Sequence, residues 1–237
     1  LYHSPRGRSN LSAAVGQGVG KRRSGYCATM PLCRRVLSGK MVDANHRILL
    51  VSVVSVRHGS ARGFARGYCP ARCRRGEGSI RQIIDIRRGI DLLETMPEVD
   101  ASHIGFVGHS FGAVHGGITI GVERRIRAYV LIAGLAQTSA MQASTSAAPG
   151  MLATEFDPAL DAIHYVGHGS QAAILFQFGE LDSFVDRGDA RPFFDAASGP
   201  KTILWYTADH GSIVWKGRED RLQRLGEQLG FAWGRDQ

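Results

Sequence analysis

The chain is short of several things, and each shortage removes a class of function. No apolar run approaches the roughly 18 residues of a membrane-spanning helix; the longest, "ILLVSVVSV" from Ile48 to Val56, is about half that. A helical membrane protein is therefore not expected. The opening "LYHSPRGRSN" has no apolar stretch of the kind a secretory signal carries, so the expected location is the cytoplasm. There are only four cysteines, Cys27, Cys33, Cys69 and Cys73, all within the first 80 residues. Their spacing, five residues between the first two and three between the others, does not suit two zinc-binding pairs, so reduced thiols are expected and no metal. Acidic residues are nearly missing from residues 1–80, which hold 15 Lys and Arg against 2 Asp and Glu. Aromatic residues are also sparse there (Tyr2, Tyr26, Phe64, Tyr68), and no recognisable nucleic-acid module accompanies the charge. Nucleic acid is therefore not the expected partner.

With 43% hydrophobic and 21% charged residues, the 237-residue chain is globular in composition and long enough to bury a full core. It is nonetheless two pieces. Residues 81–237 reverse the early charge balance, with 14 Lys and Arg against 19 Asp and Glu. The stretch "RHGSARGFARGYCPARCRRGEGS" from Arg57 to Ser79 has neither helical nor strand periodicity. It has the composition that a shifted reading frame of a GC-rich gene would give. The expected organisation is a basic, poorly ordered segment over 1–45, then one domain over 46–237 in which 57–79 is irregular. "RILLVSVVSV", Arg47 to Val56, is β-branched and apolar on both faces, as an inner strand of a parallel sheet is.

From Ile80 onward the pattern is regular. A helix is predicted from about Ser79 to Pro97, with Ile80, Ile83, Ile84, Ile90 and Leu93 as its apolar face. Strands follow at 104–107, 128–134, 172–179 and 202–207, with helices from Ser110, near 189–197 and near 219–229. A long connection, 135–170, separates the second of these strands from the third. Apolar strands alternating with helices predict an α/β fold, a mostly parallel sheet covered on both faces, with reactive groups at the carboxyl ends of the strands.

Three residues sit at such ends. Gly108-His109-Ser110-Phe111-Gly112 is a G-x-S-x-G pattern between a strand and a helix. There small flanking residues let a serine take strained backbone angles, and the N–H of Phe111 falls at a helix N-terminus. Asp182 follows a strand in "FGELDSFVD", and His210 follows the next in "WYTADHGS". The chain order Ser, Asp, His is the order of the α/β-hydrolase triad.

On "DIRRGIDLLETMPEVDASHIGFVGHSFGA", "RIRAYVLIAG", "ILFQFGELDSFV" and "TILWYTADH", residues 80–230 resemble α/β-hydrolases of the dienelactone hydrolase and acyl-esterase type. The resemblance implies Ser110 as nucleophile, Asp182 as orienting acid and His210 as general base. It implies Phe111 N–H as one oxyanion donor, a small-molecule ester as substrate, and no cofactor. True dienelactone hydrolases carry a cysteine nucleophile; the serine here points to ordinary carboxylester hydrolysis. Two alternatives stand beside this reading: a peptidase related to prolyl-oligopeptidase catalytic domains, and a hydrolase-like domain without activity.

A second oxyanion donor should come from a loop after an earlier strand. His58-Gly59 resembles such a loop but is read as coincidental: 47–56 is taken as the strand that intervenes between the oxyanion loop and the elbow, which would place the donor strand within 1–45. His109, Met151, Phe156 and Tyr165 are candidate substrate-binding residues, with Phe111 and Leu152 as further pocket candidates. Each has packing as its plain alternative. Asp186 is the reserve for Asp182. His115, His164, His168 and Asp209 are read as packed or surface residues, and the oligomeric state is left open.

Overall fold

The structure, a computed structural model, describes residues 49–53, 77–97, 99–140, 157–169 and 171–231. The four cysteines, His58-Gly59, Met151, Leu152, Phe156 and the expected disorder of 1–45 lie outside the described residues.

Among the described residues, five strands form one parallel sheet in sequential order: β1 (Leu49–Val53), β2 (Ile104–His109), β3 (Ile126–Ile132), β4 (Ala173–Gly179) and β5 (Lys201–Tyr206). Every neighbouring pair is parallel. This confirms the expected fold class, with strand ends shifted by one or two residues. β2, β3 and β4 are buried along nearly their whole length, which is why their sequences are apolar without alternation.

Sequential order combined with right-handed crossovers places every crossover on one face of the sheet. That face carries α1 (Glu77–Glu94), α2 (Phe111–Val122), α3 (Arg187–Ala196) and the turns between β3 and β4 at Pro158–Leu160, Ala162–His164 and Val166–His168. They share one apolar core that includes Ile86, Ile90, Phe106, Tyr129, Phe176 and Phe193. After β5 no further strand follows among the described residues, and the chain folds onto the other face as α4 (Ile213–Lys216) and α5 (Arg218–Leu229). Leu225 and Leu229 of α5 pack there with Val107, Val130 and Leu175 of the strands.

α1 corrects two sequence expectations. It begins at Glu77, inside the stretch expected to be irregular. Its buried stripe is Ile83, Ile86, Ile90 and Leu93, whereas Ile80 and Ile84 are 47% and 42% exposed. At about 100° per residue, Ile84 lies about 160° and Ile80 about 120° around the helix from Ile86, too far to share its face. α1 is also tied down at its polar side. Arg125, just before β3, donates to Asp91 and Glu94 of α1 at 2.7 Å each and to Glu123 at 2.6 Å. No helix among the described residues is long and apolar enough to cross a membrane.

Candidate active site

Ser110 sits between β2 and α2 with φ 57° and ψ −120°, a conformation that an L-residue rarely holds. The turn is tight enough to dictate its neighbours. A Cβ on Gly108 would lie 2.2 Å from the carbonyl oxygen of Gly112, so the first glycine of the motif is obligatory. The strained peptide is held from the next strand, where Ser110 N–H donates to Ile132 O at 2.8 Å. The helical ladder of α2 starts from Ser110, whose carbonyl accepts from Ala113 and Val114. Phe111 is thus the first residue of the helix, at its positive end.

The structure brings Ser110, His210 and Asp182 together across 100 and 28 residues of sequence. Ser110 Oγ lies 3.0 Å from His210 Nε2, and His210 Nδ1 lies 2.8 Å from Asp182 Oδ2. The Asp182 carboxylate has no exposed surface, while the His210 side chain keeps 22% of its own. Asp182 has its other oxygen filled by the backbone N–H groups of Phe184 at 2.8 Å and Val185 at 3.2 Å. A carboxylate only accepts, so Nδ1 of His210 carries the proton and its Nε2 lone pair faces the serine hydroxyl. The arrangement can take a proton from Ser110 and hold the resulting positive charge against a buried anion.

The remaining candidates disperse. His109, a candidate for substrate binding with packing as its alternative, has its Nε2 donating to the backbone carbonyl of His210 at 2.7 Å, and burial lowers its pKa. Tyr165 does not reach the elbow. Its backbone packs on Gly121 near the far end of α2, and its hydroxyl donates to Ala159 O at 2.9 Å. Gly121 is 11 residues from Ser110, about 16 Å along a helix. Phe111 packs beside the ring of His115, 6.3 Å between centroids. Asp186 is committed to capping α3, where it and Asp189 form a reciprocal capping box. Asp209 accepts from Gly211 and Ser212 N–H and so shapes the turn that presents His210. His164 and His168 are exposed, and among the described residues no group of three or more His, Cys, Asp or Glu is placed to hold a metal ion.

One strand assignment changes. β1 was read as intervening between the oxyanion loop and the elbow, with the donor strand in 1–45. Instead β1 pairs directly with the elbow strand, Val53 opposite Gly108. Its carboxyl end therefore lies on the flank of Ser110 opposite Ile132.

Two features escaped the sequence reading. Phe184, 59% exposed, stands with its ring 5.0 Å from that of His210. A largely buried polar network joins β4 and β5 to α4 and α5: Gln177 donates to Tyr206 Oη and to Gly217 O, and accepts from Arg221, which also donates to Val214 O. Burial lowers Arg221 to about 10. The sequence did carry a signal for the network, a single glutamine inside the apolar run "AILFQFG".

No protein-family model matches the chain, and a search of the curated proteins gives no match. Solved structures do resemble it. The α/β hydrolase GrgF from Penicillium sp. sh18 is 17% identical with a TM-score of 0.51, over 65% of this chain and 73% of that one. DcsB, in complex with its substrate analogue, is 13% identical with a TM-score of 0.52, over 64% and 73%. An acylaminoacyl peptidase from Pyrococcus horikoshii is 16% identical with a TM-score of 0.54, over 67% of this chain but only 29% of that much longer one. At this identity the likeness is one of fold: over the matched segment the chain has the α/β-hydrolase fold.

Proposed function

We propose that this protein is a serine hydrolase that cleaves carboxylic esters through an acyl-enzyme. The observation that carries the reading is the linear relay from Ser110 Oγ through His210 to the buried Asp182, mounted on a strained turn at a helix N-terminus. In the first half-reaction His210 Nε2 accepts the Ser110 proton as Oγ attacks the ester carbonyl. The imidazolium that forms is stabilised by Asp182 and then protonates the departing alkoxide, leaving Ser110 acylated. Water, deprotonated by the same Nε2, attacks the acyl group in the second half-reaction and restores the serine.

The developing oxyanion needs donors on the side of α2. Phe111 N–H supplies one, reinforced by the positive end of the helix. A second donor is drawn from the β1 flank, because the β3 flank is taken up by the bond between Ile132 and Ser110. No step draws on a metal or cofactor. The choice of an ester over an amide rests on the sequence resemblance to acyl-esterases, not on the fold, which peptidases share.

A fluorophosphonate probe on the purified chain tests the nucleophile, and p-nitrophenyl acyl esters of short and medium length test the reaction. Wild type should be labelled and should turn over the esters, and Ser110→Ala should lose both. Labelling at another serine, or hydrolysis that survives Ser110→Ala, would remove Ser110 from the role. Labelling accompanied by turnover of short peptide amides rather than esters would favour the peptidase.

A further inference from the structure

The residue before Ser110 is bonded to the residue that serves it. His109 ends β2, and its Nε2 lies 2.7 Å from the carbonyl oxygen of His210, 101 residues away in sequence. The two imidazoles are 4.9 Å apart between centroids. A carbonyl oxygen only accepts, so Nε2 of His109 must carry a proton and donate it. His210 therefore receives two bonds from consecutive residues of the elbow, one to its ring from Ser110 and one to its main chain from His109.

We propose that His109 is a positioning residue: by donating to the His210 carbonyl it ties the β5–α4 loop to the nucleophile's own strand and sets the distance from His210 Nε2 to Ser110 Oγ. This inference rests on the serine-hydrolase reading above. The His109 bond is a tie from a side chain of the elbow strand to the loop's main chain, separate from the contact between Ser110 and the His210 ring. Asp209 shapes the loop from within, through Gly211 and Ser212, while Arg221 and Gln177 hold the helix that follows it, at Val214 and Gly217. Those contacts fix the loop's form, and the bonds from Leu181 N–H to Ala208 O and from His210 Nδ1 to Asp182 tie it to the β4–α3 connection; the His109 bond ties it to the strand that carries Ser110.

His109 is also suited to donate without disturbing the chemistry. It is largely buried, and burial lowers its pKa, so it donates as a neutral ring. A charged ring at that place would oppose the imidazolium of His210. The charges that act on it are those of His210, Asp182 and Arg221. Misplacing a catalytic group by about 1 Å costs on the order of 100-fold in rate, which sets the scale of the effect.

The experiment compares wild type with His109→Phe, His109→Asn and His109→Gln. Phenylalanine fills the ring's space without a donor, asparagine places a donor too close to the backbone, and glutamine places an amide N–H where Nε2 lies. Phe and Asn should each lower kcat about 10- to 100-fold with KM within about twofold. Gln should recover to within about threefold of wild type. Fluorophosphonate labelling rates should follow kcat. The Nδ1 proton of His210, followed by NMR, should exchange with solvent faster in the Phe and Asn variants than in wild type and Gln. The proposal is overturned if Phe or Asn keeps kcat within twofold, or if a folded Gln variant is as slow as they are. Failure of the serine-hydrolase reading looks different: wild type itself would neither hydrolyse esters nor take the label. The exchange of the His210 proton across the four proteins still decides the clamp in that case, and equal exchange would overturn it.

Discussion

Two clusters in this molecule hold one serine, one histidine and one aspartate each, at opposite ends of the same strand. At the carboxyl end of β2, Ser110 and Asp182 approach different nitrogens of His210. At its amino end, Ser102 Oγ and Asp100 Oδ2 both lie 2.8 Å from the same nitrogen, Nδ1 of His103. Ser102 also donates its hydroxyl proton to Asp100 at 2.6 Å. The amino-end cluster is therefore closed on itself, with the serine proton given directly to the acid and the second ring nitrogen outside the circuit. Its function is local: Asp100 caps the short turn Ala101–His103 that leads into β2. A base relay needs an imidazole with a different partner on each nitrogen. Residues three apart do not supply that here, whereas three strand ends do. Residue type and proximity are equal in the two clusters; the side from which each group arrives separates a cap from the relay proposed to be reactive.

The largest effect expected from this contrast is on turnover. Asp182→Asn should lower kcat by about 10,000-fold, because the amide can hold His210 in the wrong tautomer. Asp100→Asn and Ser102→Ala should leave ester hydrolysis within about twofold of wild type. Steady-state kinetics on one p-nitrophenyl ester covers all three. A comparable loss from the Asp100 or Ser102 variant would erase the distinction between the two ends.

The next effect separates chemistry from folding at the active end. His115, on α2 one turn past Phe111, is buried and lowered from 6.5 to about 4 by burial. The unfolded chain takes up a proton between about pH 6.5 and 4 while the folded chain does not. The folded state therefore loses stability as pH falls through that window, by about 2 kcal/mol at pH 5. Below about pH 4 both states are protonated and the loss stops growing. His115→Gln, which keeps a polar group facing Ser79, should remove most of the difference between urea midpoints at pH 7.5 and pH 5. If the variant keeps the full wild-type difference, His115 is not its source.

The active end was the more legible of the two in the sequence, for a physical reason. Its turn has a signature, because a positive-φ serine between close-packed elements forces glycine at 108, and acid and base must follow strand ends that the apolar runs already mark. The fold was legible on the same grounds: β3 and β4 are apolar on both faces because they are buried on both. What sequence did not reveal is lateral placement. Nothing in "RILLVSVVSV" says which strand it will pair with, and β1 proved to be the elbow strand's direct neighbour. Tyr165 looked like a pocket residue by its place in the long connection, but it packs at the wrong end of α2. Ile80 and Ile84 were assigned to the core by hydrophobicity, against their angular positions on α1. His109 is the sharpest case, since its partner is a backbone carbonyl, and a backbone carbonyl leaves no residue type to read.

The smallest expected effect lies at the amino end and gives its cluster a measurable role. Asp100 accepts from Ser102 N–H, Ser102 Oγ and His103 Nδ1. The Ser102 hydroxyl and N–H, followed by His103, outweigh the small cost of burial and hold the carboxyl down at about 2. The folded state thus favours the carboxylate more than the unfolded chain does. The stabilisation is fully present above the unfolded value near 3.8 and is lost as pH falls through about 2. The side chain is solvent-facing, so the benefit is that of an ordinary cap, about 0.5–1 kcal/mol. Asp100→Ala should lower the unfolding free energy measured in urea by that amount at pH 7 and by less at pH 3, with kcat unchanged. The same deficit at both pH values would mean that the carboxylate's charge is not what stabilises the turn. A fall in kcat at pH 7 would mean that the entry to β2 is mechanically linked to the turn at its exit, and that the two clusters are not independent.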